Sequence, residues 1–324
     1  MMEIFAFAGG LSATAAALFN IAGIIFEFRR SASPASRSLR FLAAVVTAGS
    51  RRLPRRLGKP ILYSFAPLWM FLTTSFWLFL LLLGIGLLGL FVELMTLRVS
   101  PLRPWSTPQQ AYVVELGAAL LSPIGVVVGG ACVYLTTYAR AYRRREREVV
   151  RIAAELTHYR DADHLAASCL HPGAGYRTDR LLAEWTDWLI DLQHSHVACP
   201  ALIYSASRGT LTWPRAAVAV LDAAALLRAV APSHSSPQIP VLLAVGSRCL
   251  QEIAWKAGVA AGGAPVSLEY REERPFSESV RLVVGAGVPE ERRRQDTWAA
   301  FQQMRSAYAP YATALEFRVR GRAG

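Results

Sequence analysis

Apolar positions are not spread evenly along this chain. They gather into three long stretches in the first 140 residues and thin into an amphipathic rhythm after that. The stretches are Ile4–Phe28, Ile61–Leu94 and Tyr112–Thr137, each long enough to cross a hydrocarbon core that needs about 20 apolar residues in a helix. They predict three membrane spans. The first holds Gly9, Gly10, Ala13, Ala15, Ala16 and Ala17, small residues that let a neighbouring helix approach closely. The second is bulky and aromatic, with Trp69, Phe71, Phe76, Trp77 and Phe79, and its length requires tilt or an extension past the bilayer. The third opens on Thr107-Pro108, a good cap and first-turn pair, and then meets the helix-weakening Ser122-Pro123-Ile124-Gly125. Two readings follow: one kinked span over 112–139, which is preferred, or a re-entrant helix ending at Leu121 with a short span from Gly125.

Beyond Arg147 the pattern is that of amphipathic helices separated by Gly and Pro, with candidates at Glu146–Tyr159, Asp179–His194, Pro214–Val230, Pro240–Ala257, Ser277–Ala286 and Gln295–Ala314. No alternating strand pattern links them, so the predicted class is all-α: an integral membrane protein with three transmembrane helices and a helical cytoplasmic C-terminal domain.

Charge sets the orientation. Residues 29–60 carry nine basic side chains and no acid, Leu97–Ala111 carries only Arg98 and Arg103, and Arg140, Arg143, Arg144, Arg145 and Arg147 follow the third stretch. The positive-inside rule places the N-terminus outside and the C-terminus in the cytoplasm of a cell that holds the chain as a multi-pass protein of its cytoplasmic membrane. A short helix over Leu39–Thr47 at the interface fits the same loop. The formal charge of +12 does not point to nucleic acid, because residues 1–150 hold 16 basic and 6 acidic side chains while residues 151–324 hold 19 and 17. The excess sits beside the membrane, where Arg51, Arg52, Arg55, Arg56, Arg143, Arg144 and Arg145 are candidates for contact with lipid headgroups, each worth about 1 kcal/mol near an anionic surface. The four cysteines show no paired spacing and read as free thiols.

Candidate chemistry is sparse. In residues 181–196, Glu184, Asp187, Asp191 and His194 share one helical face and could bind a divalent ion, but Trp185, Trp188, Leu189 and Leu192 fill the other face, which makes the charged stripe an ordinary solvated surface. Ser195-His196 suggests a nucleophile and a base, yet adjacent helical residues point about 100° apart, and His196 reads as a helix-end histidine bonded to a carbonyl. There is no GxSxG, P-loop or CxxC, so neither an enzyme nor a bound metal or cofactor is expected. Gly125 and Gly129 form a GxxxG followed by Gly130, a signal for self-association or for packing within the chain, and Glu115 is an acid near the start of the third span.

Glu184, Trp185, Trp188, Ser195, His196, Pro200, Leu202, Tyr204, Trp213, Leu221 and Asp222 stand in the pattern E-W-x-x-W, S-H, P-x-L-x-Y, W and L-D-x-x-A-L. With FEFRR after the first span and YARAYRRRE after the third, this resembles bacterial two-transmembrane-type potassium channel-like proteins, often labelled as two-pore-domain channels. The resemblance implies a first helix over 1–28, a basic cytoplasmic loop over 29–60, a two-helix channel-like domain over 61–140 with a short outer loop at 97–111, and a cytoplasmic domain over 141–324. It also implies a homo-oligomer and a monovalent ion. The chain departs from that pattern where a T-x-G-Y-G-D filter would stand, since Leu97–Ala111 is too short for a pore helix, a filter and both connections. The functional expectation is an ion pore with a degenerate filter, non-selective or gated, around Ser122, Pro123, Gly125, Gly129 and Gly130. The alternative is a non-conducting sensor or scaffold whose cytoplasmic helices bind a protein or a small ligand.

Overall fold

A computed structural model describes residues 2–26, 65–99, 107–159, 162–169, 176–205, 207, 209, 211–259 and 273–320. Among these residues every regular element is helical and no strand occurs, which is the all-α class expected. In chain order the elements are α1 (Met2–Phe26), α2 (Phe65–Val99), α3 (Thr107–Tyr159), α4 (Ala162–Cys169), α5 (Tyr176–Ala198), a 3-10 helix (Pro200–Tyr204), α6 (Trp213–Val230), α7 (Gln238–Lys256), α8 (Glu273–Gly285), α9 (Arg294–Ser306) and α10 (Ala309–Arg320). They belong to two compact units that divide at Ala139 and Arg140. The interfacial helix expected at Leu39–Thr47, and Arg51, Arg52, Arg55 and Arg56, lie outside the described residues.

In the first unit α1 and α2 pack antiparallel. Phe7 lies 5.1 Å from Phe91 between ring centroids, Gly10 meets Gly84 and Leu88, and Ala17 is buried with Leu81. The contact at its middle is backbone on backbone. A Cβ added to Gly10 would stand 2.9 Å from the Gly84 carbonyl oxygen, and one added to Gly84 would stand 3.0 Å from that of Gly10 and 2.4 Å from Thr14 Oγ1. Small residues thus bring the two helices together, as glycine-mediated crossings do where packing rather than hydrophobicity supplies the attraction. Among the described residues one stretch, Phe71–Phe91 in α2, is 21 residues long and apolar enough to cross a membrane; Phe7–Leu18 in α1 is a shorter apolar stretch.

Helix α3 runs without interruption through Ser122-Pro123-Ile124-Gly125 and on to Tyr159. The re-entrant alternative is therefore overturned, and the amphipathic segment expected at Glu146–Tyr159 is the end of this same helix. One proline removes a single backbone hydrogen bond, which a long helix tolerates.

The second unit is built around α6. Thr212 precedes it in extended backbone, Pro214 occupies a first-turn position where a missing N–H costs nothing, and its alanine-rich interior favours helix while allowing neighbours close on every side. Fifteen of its eighteen residues are buried, against α4, α7, α8, α9 and α10. Helices α5 and α7 pack side by side in parallel, with Gln193 Nε2 donating to Glu252 Oε2 at 2.6 Å. Gly246 of α7 lies close against its neighbours: a Cβ there would stand 2.4 Å from Leu221 Cδ2 and 3.2 Å from Leu189 Cδ1, so those leucines would have to shift.

Two helices stop by the same device. Gly258 after α7 has φ +67° and Gly287 after α8 has φ +97°, the left-handed region that glycine enters without a Cβ penalty. Gly258 N–H and Val259 N–H then donate to the Trp255 and Ala254 carbonyls at 3.0 Å, and Gly287 N–H to that of Val284 at 3.0 Å. The stretch expected as one helix at Gln295–Ala314 is two, α9 and α10, divided at Ala307-Tyr308. Helix α4 and the 3-10 helix were not foreseen.

Candidate functional site

Of the residues singled out on α5 and after it, Trp185, Trp188, His196, Leu202, Tyr204, Trp213, Leu221 and Asp222 are buried in the second unit, and Glu184, Ser195 and Pro200 are half-buried. On α5 the inward face is Leu182, Trp185, Leu189, Leu192 and His196, all buried. Asp187, Asp191 and His194 point outward, and Glu184 is half-buried at the seam. Arg151 of α3 donates to Glu184 at 2.6 Å and Arg180 at 3.0 Å, and these two hydrogen bonds hold the carboxyl below its usual range. Asp191 faces Arg144 at 3.7 Å with both side chains exposed. The acidic face therefore meets arginine, and among the described residues no cluster of three or more His, Cys, Asp or Glu is arranged to hold a metal ion.

His196 is fully buried in the last turns of α5. Its Nδ1–H donates to the Leu192 carbonyl at 2.8 Å, one helical turn back, and its ring lies 4.8 Å from that of Trp213, the first residue of α6. Burial, and then the Arg145 charge, hold this imidazole well below its ordinary value, so it is neutral. Ser195 Oγ donates to the same carbonyl at 3.1 Å and approaches Nδ1 at 3.2 Å. The nitrogen nearest the serine is thus committed to a carbonyl, and the pair has the geometry of a helix end rather than of a nucleophile with its base. The reading of His196 as a carbonyl-bonded histidine holds.

Arg145 corrects an expectation. Its sequence position groups it with the headgroup arginines, but it is 2% exposed. Its Nη1 donates to the Leu202 carbonyl at 2.8 Å, Nη2 donates to the Ser205 carbonyl at 3.2 Å and to Glu146 Oε1 at 3.0 Å, and the guanidinium sits 4.9 Å from the centre of the Tyr142 ring. Position along α3 decides this: Arg143 and Arg144 fall on the exposed face, whereas Arg145 shares the inward face with Val149 and Ile152. Its planar fork holds the ends of the turn that begins at Pro200 and buries Ala201, Leu202, Ile203 and Tyr204.

Asp222, inside α6, is the second buried charge. Arg305 Nε of α9 donates to its two oxygens at 3.2 and 3.4 Å, and Tyr308 Oη donates at 2.7 Å. At the start of α6, Glu316 of α10 accepts from Thr212 and pairs with Arg215 at 3.2 Å. Burial pushes the Cys199 thiol up to about 11 and the Cys249 thiol further up, so neither is a nucleophile near neutral pH. Arg145, Glu146, Asp222, Arg305, Tyr308, Thr212, Arg215 and Glu316 bind their polar groups to one another or to carbonyls, while the indole N–H groups of Trp185, Trp188 and Trp213 and Nε2 of His196 are buried without a hydrogen-bond partner among the described residues. This network ties α3 to the 3-10 helix and α6 to α9 and α10, and it presents no pairing of nucleophile and base.

In the N-terminal half of α3, Gly125 and Gly129 are exposed, with nothing within 4 Å of an added Cβ; Gly130 is half-buried. Among the described residues nothing packs against Gly125 or Gly129. The side chains of Ser122, Pro123 and Glu115 lie outside the described set. Sequence reasoning missed Arg305, Tyr308 and Arg151. A signal existed for Arg305, which stands on the stripe Thr297, Phe301, Arg305 and Tyr308 that faces inward from α9 and its exit.

Taken as a class, this is an all-helical protein with an apolar N-terminal unit and a helical domain braced by buried ion pairs. No protein-family model, curated protein or solved structure matches the chain.

Proposed function

We propose that the chain is a three-span membrane protein, N-terminus outside and C-terminus cytoplasmic, that keeps a potassium channel-like frame without conducting and acts through its helical domain as a sensor or scaffold. One observation carries this reading. Helix α2 ends at Val99 and α3 begins at Thr107, and α3 then continues unbroken to Tyr159. A potassium filter needs backbone carbonyls held by a pore helix of about ten residues before the inner span, and neither the connection nor the continuous helix provides room for it. The apolar exposed faces of α1 and α2 and the resemblance of Glu184, Trp185, Trp188, Ser195, His196, Pro200, Tyr204, Trp213 and Asp222 to the channel-like pattern support the frame.

The second reading, a non-selective oligomeric pore, is favoured by one feature: Gly125 and Gly129 stand open on α3, as a face awaiting another copy would. Ion flux from liposomes holding the purified protein separates the two. The scaffold reading expects potassium, sodium and chloride fluxes equal to those of empty liposomes with the oligomer intact. Flux that disappears in Gly125→Leu with Gly129→Leu would overturn it in favour of the pore.

A further inference from the structure

The segment of α3 in the second unit has two faces of opposite character. Arg145, Glu146, Val149 and Ile152 are buried, while Arg140, Arg143, Arg144 and Arg147 are exposed. The exposed four stand at i, i+3, i+4 and i+7, one continuous stripe two turns long. Such a stripe is costly to place without a counter-charge, since like charges at these spacings repel. Among the described residues, little of that counter-charge comes from the protein. On the same helix Glu146 is bound to Arg145 and Glu148 faces Arg151 at 3.5 Å, both away from the stripe. From α5, packed alongside, Glu184 is held by Arg151 and Arg180, Asp187 is exposed, and Asp191 reaches Arg144 at 3.7 Å with side chains 72% and 62% exposed. An exposed contact of that length contributes little and exchanges readily.

We propose that Arg140, Arg143, Arg144 and Arg147 form a docking stripe for the headgroups of anionic phospholipids, with Arg144 exchanging Asp191 for a lipid phosphate. Two observations select a membrane surface as the occupant. The stripe begins immediately after the apolar run of the same helix, at the depth where headgroup phosphates lie if 112–139 spans the bilayer. All four cations are arginines, whose planar forks take phosphate oxygens in pairs. The inference rests on the membrane reading proposed above and adds a lipid partner to it. It also gives the helical domain a sensitivity to membrane charge, because Asp191 is released from Arg144 as the stripe binds.

The test uses the full chain reconstituted in phosphatidylcholine membranes with a trace of spin-labelled phosphatidylglycerol or phosphatidylcholine, comparing the association of the two probes. The wild type is expected to prefer phosphatidylglycerol at low salt, with the preference falling as salt rises. The variant with Arg140, Arg143, Arg144 and Arg147 all changed to Gln should lose that preference by at least about tenfold, in keeping with the usual strength of arginine near an anionic surface. The corresponding Lys variant keeps the charge and should retain most of it, which guards against loss by misfolding. Equal preference in the wild type and the Gln variant would overturn the proposal. Carbonate extraction of the same membranes is read separately: release of the wild type removes the integral-membrane reading and this inference with it, whereas retention without lipid preference removes this inference alone.

Discussion

Neighbouring residues of one type have opposite fates on α3, and their substitution should differ accordingly. Changing Arg145 to Met removes the buried guanidinium that donates to the Leu202 and Ser205 carbonyls and to Glu146, and should cost about 3–5 kcal/mol, as breaking a buried charge pair does. Changing Arg144 to Gln removes only an exposed contact and should stay within about 0.5 kcal/mol. Denaturant midpoints of the purified variants compare the two directly. His196 supplies a pH dependence of known sign. Its folded-state value lies below the ordinary 6.5, so on acidification the unfolded chain takes up a proton that the folded chain refuses, and stability falls as pH drops below about 6.5. The slope from this one group reaches at most about 1.4 kcal/mol per pH unit. In His196→Gln, melting curves between pH 7 and 5 should lose that part of the slope. The depressed carboxyls Glu184 and Glu252 act in a lower window, since their contribution is present above the ordinary 4.5 and is lost only as pH falls through their reduced values. An unchanged slope in His196→Gln would mean that the imidazole is not buried in its neutral form.

At the level of helices, Gly246 is the most closely packed of the described glycines in the second unit. A Val there would drive two methyl groups into Leu221 and Leu189 on the two neighbouring helices, and a thermal-shift series Gly246→Ala, Gly246→Val should show rising destabilisation, reaching about 1–3 kcal/mol or more for Val. This close approach was not legible beforehand, because a glycine inside an apolar helix looks like a weakness until the partners are known. Other elements were readable. The amphipathic period located α5, α6, α7 and α8, and the Gly258 and Gly287 stops sit where the sequence changes from periodic to small and polar. The division of α9 from α10 did carry a signal, Pro310, which suits the first turn of α10 and cannot continue the helix before it, whereas α4 was hidden by being only eight residues long. At the site, the inward placing of Trp185 and Trp188 followed from spacing alone, whereas the full burial of His196 did not, since its sequence signal was only that of a helix-end histidine. The Arg305–Asp222 pair did not, because it joins residues 83 positions apart and each one taken singly reads as a surface charge.

Across the whole molecule, the two units rest on different physics. The first depends on a glycine crossing and shows apolar side chains such as Phe5, Phe71 and Phe79 outward, while the second encloses an alanine- and leucine-rich helix and fixes its neighbours with buried charge. Helix α6 needs α10 on one side, and α10 is at the far end of the domain in sequence. Deleting residues 309–324 should therefore do more than trim an end. It would uncover Thr212 and Arg215 together with the apolar flank of α6, and cellular levels followed by pulse-chase should show rapid degradation of the shortened chain beside a stable full-length one. The same dependence has a meaning in time. A ribosome completes α6 well before it makes α10, so the nascent chain carries the α10-facing flank of that apolar rod uncovered while α7, α8 and α9 are still being made. During that interval the domain relies on something other than itself, a chaperone or the slow pace of translation, to keep that rod from the wrong neighbour.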